Sequence, residues 1–74
     1  MAENRTLTEF RGRYLATDGI ETVELDEYEG SHAIVVHVGD AETFDATSLP
    51  AAFSGYAVLI DDGTRVREAR GPLV

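Results

Sequence analysis

The chemistry open to this chain rests on two histidines, six arginines and fourteen acidic residues, with no cysteine and no lysine among its 74 residues. His32 and His37 stand five apart in a β-branched stretch, so on a strand they point to opposite faces and cannot share a metal ion. Zinc or iron needs more converging ligands than that, and no thiolate is present to help. No metal and no cofactor is therefore expected. His37 could serve as a general base if Asp61 or Arg65 met it across a sheet. A hydrogen-bonded or exposed histidine is the plainer expectation, and no catalytic residue is assigned. Arg65 and Arg67 share one face of a strand, with Arg70 close behind. Their forked guanidiniums suit a carboxylate or phosphate ligand; the simpler role is surface pairing with the many carboxylates, which is worth little.

The acidic run Glu24, Asp26, Glu27 and Glu29 invites comparison with a calcium loop. It lacks the fixed odd spacing of oxygen ligands and the glycine at the sixth place, so a solvated acidic loop is expected. The glycines are scattered singly, and none forms the clustered loop that cradles phosphate at a helix N-terminus.

Size bounds the rest. A chain of 74 residues makes one domain, residues 1–74, with residues 1–5 and 71–74 expected as flexible tails. A domain this small buries only about 60% of the surface its unfolded chain exposes, and without cysteine it has no disulfide to compensate. Association with another chain is the remaining common route to more burial. The apolar runs are too short to span a membrane. Met-Ala-Glu-Asn-Arg at the start carries no apolar leader, so a cytoplasmic location is expected. The formal charge of −8 repels phosphate backbones and anionic lipid, so neither nucleic acid nor membrane is an expected partner.

An acidic, lysine-free chain rich in arginine, threonine, valine and small residues resembles the proteins of halophilic archaea. The resemblance covers the whole chain as composition only. It implies a cytoplasm at molar salt, where the Debye length falls to about 3 Å and repulsion among carboxylates is screened. It implies no activity.

The elements that must position these residues follow from periodicity. Thr6-Leu7-Thr8-Glu9 has the form of a capping box, and Leu7, Phe10, Tyr14 and Leu15 make one apolar stripe of helical period. Gly12 interrupts that helix and suggests close approach to another backbone. Gly19 suits a left-handed helix terminus. Residues 20–25 alternate as a half-buried strand, and residues 26–30 form a long acidic hairpin loop. Ala33-Ile34-Val35-Val36-His37-Val38 is the central strand. Within residues 41–53, Ala46, Leu49 and Phe53 have helical spacing, Asp45 or Thr47 can cap, and Pro50 suits a first helical position, so a short second helix is expected. Tyr56-Ala57-Val58-Leu59-Ile60 is a second apolar strand. Asp62-Gly63 signals a type I′ hairpin into a polar strand over residues 64–69.

The order α-β-β-α-β-β gives an α+β fold: a mixed four-stranded sheet with a main N-terminal helix and a short second helix on one face. The connection between residues 33–38 and 56–60 is long enough for a parallel crossover. Alternation assigns Ile34, Val36, Val38, Val23, Leu25, Val58, Ile60 and Val66 to the core beneath the helix. The opposite face then carries Ala33, Val35, His37, Ala57 and Leu59, ringed by Thr22, Glu24, Asp61, Arg65 and Arg67. Nothing in so short a chain is left to cover it. An apolar strip rimmed by charge is typical of an interaction surface. The expected function is thus a small salt-adapted acidic interaction module, homodimeric through Val35, His37 and Leu59 or bound to another protein. The alternative is a regulatory domain that holds a small anion with His37, Arg65 and Arg67.

Overall fold

The computed structural model describes residues 2–73, with side chains from residue 5 onward. Helix α1 (Ala2–Tyr14) leads into a five-stranded mixed sheet: β1 (Ile20–Tyr28), β2 (Ser31–Val38), β3 (Ala52–Phe53), β4 (Tyr56–Asp61) and β5 (Val66–Glu68). The α+β class and the mixed sheet agree with the sequence; the sheet has five strands rather than four. Its order is β1-β2-β4-β3, with β5 also paired to β4. As expected, β2 and β4 run parallel in the middle, with Ile34 beside Val58 and Val36 beside Ile60.

The helix starts earlier than its capping signal. Thr6 and Glu9 lie inside α1, and residues 2–5 are helical rather than a tail. Phe10 is fully buried, with Leu7 and Tyr14 half-buried beside it. Its ring meets Tyr14 at 4.7 Å and Phe53 at 5.3 Å, an aromatic cluster that clamps the helix to the sheet. Arg13 lies over the Phe53 ring at 5.6 Å. Arg11 and Arg13 occupy the last turn, where the helix dipole favours cations. Leu15 falls beyond the helix and is exposed. Gly12 makes no close approach, because a Cβ built there meets nothing within 4 Å.

The first hairpin is tighter than its acidic sequence suggested. Strand β1 runs to Tyr28, which pairs directly with Ser31. Only Glu29 and Gly30 turn, with φ of 52° and 83°. Two successive positive φ values define a type I′ turn, whose twist matches that of the strands. Asp26, Glu27 and Tyr28 are thus strand residues, not loop. The same turn recurs at Ser54-Gly55 (φ 52° and 85°), and it is what makes Ala52–Phe53 a strand paired to Tyr56 and Ala57. Asp62-Gly63 does not form the expected type I′ turn: four residues separate Asp61 from its partner Val66.

No second helix forms in residues 41–53. A single 3-10 turn, Ala46–Ser48, is capped by Asp45, whose side chain accepts from the Thr47 N–H. Ala46, Leu49 and Phe53 nevertheless all reach the core. Their spacing encodes burial, which an extended crossover achieves as well as a helix. The C-terminal segment holds this crossover down. Arg70 N–H donates to Ala46 C=O (2.7 Å), Gly71 N–H to Leu49 C=O (2.7 Å), and Ala51 N–H to Gly71 C=O (3.2 Å). Gly71 is buried and belongs to the fold rather than to a tail.

Two glycine substitutions separate these environments. A Cβ at Gly71 falls 2.3 Å from the Leu49 carbonyl oxygen and 2.6 Å from that of Thr47, both backbone atoms that cannot swing aside. Gly71→Ala is expected to cost about 2–4 kcal/mol in urea denaturation. Gly12→Ala fills open space in a helix and should gain about 0.5–1 kcal/mol. Equal effects of the two would contradict this packing.

Candidate functional site

The two faces of the sheet are covered unequally. On one, Val23, Ile34, Val36, Val38, Val58 and Ile60 lie beneath α1 and the crossover with Phe10, Leu49 and Phe53. Among the described residues the other carries no helix. Pairing register fixes its rows: Asp26 beside Ala33 beside Ala57; Glu24 beside Val35 beside Leu59 beside Glu68; Thr22 beside His37 beside Asp61 beside Val66. Side chains opposite each other in a ladder share a face. Val66 therefore belongs here and not to the core, and it is 41% exposed.

The apolar centre of this face is not left in water. Val35 is 7% exposed and Leu59 5%, and Ala33 is buried as well. The longer side chains beside them, Glu24 and Glu68 in the same row and His37 one row away, shield them. The apolar surface that remains accessible is on Tyr28 (44%), Val66 and the small Ala57. A shallow hollow of about 240 Å³ lies between Tyr28, Ser31, His32, Leu59 and Glu68.

His37 has a partner that the sequence did not single out. Asp61 is its neighbour in the ladder, yet its Nε2 lies 2.5 Å from Glu24 Oε1 on the adjoining strand. The pair is exposed, as an ordinary surface contact is.

The arginines leave this face. Arg67 is opposite Ile60, so its side chain emerges on the helix-covered side. There its Nη1 donates to Ala41 C=O at 2.7 Å. Arg65 Nη1 lies 3.5 Å from Glu42 Oε2. Of the five candidate residues, Val35, His37 and Leu59 are together, while Arg65 and Arg67 serve the loop after β2. An anion grip built from His37, Arg65 and Arg67 is not assembled. The parity error has one source. Val66 is expected in the core as the one apolar residue of its strand, but pairing decides the face. Even a two-residue turn would set Val66 beside Leu59 on the open face, and the four-residue turn sets it beside Asp61 on that same face.

A wider cleft of about 690 Å³ opens where β2 ends, walled by Ile20, Val38 and Phe44 and edged by Asp18, Glu21, Asp40 and Asp45. Among the described residues no basic one lines it, which makes it unsuited to an anion. Two of its carboxylates are engaged locally: Asp40 accepts from the Glu42 N–H, and Asp45 from Thr47 N–H and Oγ1. These bonds, the Thr47 hydroxyl first, hold the Asp45 carboxyl below its ordinary pKa. No group of three or more metal-ligating side chains converges among the described residues.

The most engaged carboxylate is Asp62, which the sequence marked only as a turn. Its Oδ2 accepts from Ala41 N–H (2.9 Å) and its Oδ1 from Thr64 and Arg65 N–H (2.8 Å each). One side chain thus ties the β4–β5 turn to the end of β2. The Ala41 amide, then those of Arg65 and Thr64, lower its pKa to about 2.

Compared with models of protein families, with curated proteins and with solved structures, the chain matches none. Among the described residues no helix is long and apolar enough to cross a membrane.

Asp62 gives a signed pH prediction. A carboxyl whose pKa is depressed by folding stabilises the fold above its unfolded value, near 3.9, and that contribution is lost as pH falls toward about 2. Asp62→Asn places an amide donor or a neutral oxygen before the Ala41 N–H and should destabilise at neutral pH. The gap between parent and variant in urea midpoints should close between pH 4 and pH 2. A gap constant over that range would contradict the assignment.

Proposed function

We propose that this protein is a small non-enzymatic interaction module of a cytoplasm held at molar salt, and that it docks through the helix-free face of its sheet to a second copy of itself. The observation behind this reading is the unequal cover of the two faces. One helix and one crossover close the first; the second is a broad surface with Tyr28 and Val66 accessible at its ends.

Magnitudes decide what kind of association to expect. Val35 and Leu59 are already shielded, so burying them further gains little. The gain comes from Tyr28 and Val66, roughly 1 kcal/mol for each half-exposed side chain. Four strands about 4.8 Å apart and about 20 Å long present roughly 400 Å², below the roughly 800 Å² per partner of a stable interface. Association costs at least about 4 kcal/mol of lost freedom. The dimer is therefore weak. Charge sets its salt dependence, because Glu24, Asp26, Asp61 and Glu68 ring the face and two copies appose them. Molar salt screens that repulsion. His37 and Arg67 stand on opposite faces of the sheet, which favours contact through the open face over an anion held between them.

Light scattering after size exclusion, at millimolar protein in low salt and in molar KCl, tests the reading. The expected result is a monomer in low salt and a rising average mass in molar KCl, reversed by Val66→Glu. A monomer under every condition sinks the self-association.

A further inference from the structure

β1 is an edge strand whose one sheet neighbour is β2. The two-residue turn at Glu29-Gly30 makes Tyr28 and Ser31 its closing pair. Such hairpins close on a hydrogen-bonded pair, and bonded and non-bonded pairs then alternate. Tyr28, Asp26 and Glu24 therefore direct their peptide groups inward to β2, while Glu27, Leu25 and Val23 direct theirs outward. A nine-residue edge with outward N–H and C=O groups is a template for another strand.

Two of those outward groups are occupied from within the chain. Arg11, in the last turn of α1, donates Nε and Nη2 to the Val23 carbonyl at 3.0 and 2.6 Å. The Glu27 N–H donates to Asp26 Oδ1 at 2.8 Å. These two groups are also partners in one particular assembly. If two copies paired β1 to β1 antiparallel about Leu25, Val23 would lie opposite Glu27 of the second copy. The Val23 carbonyl would then accept the very N–H that Asp26 now holds. Both ends of that intermolecular bond are taken in each copy.

We propose that Arg11, with Asp26, is a strand guard that keeps β1 from pairing with β1 of a second copy. In dilute salt the carboxylates of Glu21, Glu24, Asp26, Glu27 and Glu29 already hold two such strands apart. At molar ionic strength that repulsion reaches only about 3 Å, and it no longer protects the edge. A directed hydrogen bond on the carbonyl acts at contact range and persists there. This edge is distinct from the sheet face, so the guard stands or falls independently of how that face is used.

The test compares the parent chain with Arg11→Ala and with Arg11→Ala/Asp26→Ala. Arg11 is exposed on a helix, where alanine is well tolerated. In molar KCl the double variant should show about twice the parent's average mass by light scattering, with slower exchange of the Leu25 amide. In low salt both should match the parent. Adding Leu25→Pro should restore the parent's mass, because the Leu25 N–H serves no bond within the sheet and proline is tolerated on an edge. The proposal is overturned if the double variant keeps the parent's mass in molar KCl. A mass increase that Leu25→Pro does not reverse, or that leaves the Leu25 amide exchanging as fast as before, overturns it equally.

Discussion

Parallel strands cannot be joined by a turn, and that constraint governs this molecule. β2 and β4 are the two most apolar strands and lie side by side in parallel. The chain between them must therefore travel the length of the sheet across one of its faces. It does so on the side where α1 packs, bringing Ala41, Ala46, Leu49 and Phe53 into the core on the way. Helix and crossover together close one face, and among the described residues no helix lies over the other. The bare face follows from the economy of the topology.

The bare face is held together differently from the core. Its centre is apolar but narrow, and the polar side chains on either side of Val35 and Leu59 shield it. Such an arrangement lets a monomer remain in water without a large exposed patch, while the ends at Tyr28 and Val66 stay accessible. A surface of this kind favours transient contact over permanent assembly. Under the proposed self-association, the acidic rim would make that contact depend on ionic strength.

Much of this was legible in the sequence, and the failures have physical causes. The central strands followed from their continuous apolar runs, their parallel pairing from the length of the connection between them, and the burial of Ile34, Val36, Val58 and Ile60 from alternation. The turns did not. Glu29-Gly30 and Ser54-Gly55 adopt type I′ geometry although Asn or Asp before glycine is the usual signal, and Asp62-Gly63, which carries the signal, does not. Asp62 is drawn instead into three backbone hydrogen bonds, a tertiary demand that local propensity cannot register. The faces of β5 follow from pairing and not from hydrophobicity: Val66, the one apolar residue of that strand, stands beside Asp61 on the open face, and Arg67 stands beside Ile60 on the covered one. Helical spacing in residues 41–53 was a true record of burial and a false record of helix. Arg11 gave no signal at all, because its role depends on a strand that is remote in sequence.

The most direct test of the account is solvent accessibility of side chains followed with a soluble paramagnetic probe as protein concentration rises in molar KCl. If the helix-free face is the contact surface, Val66 and Tyr28 lose their probe broadening with concentration, while exposed Leu15, off that face, keeps its own. Protection that appears at Leu15 first, or at none of the three, contradicts it.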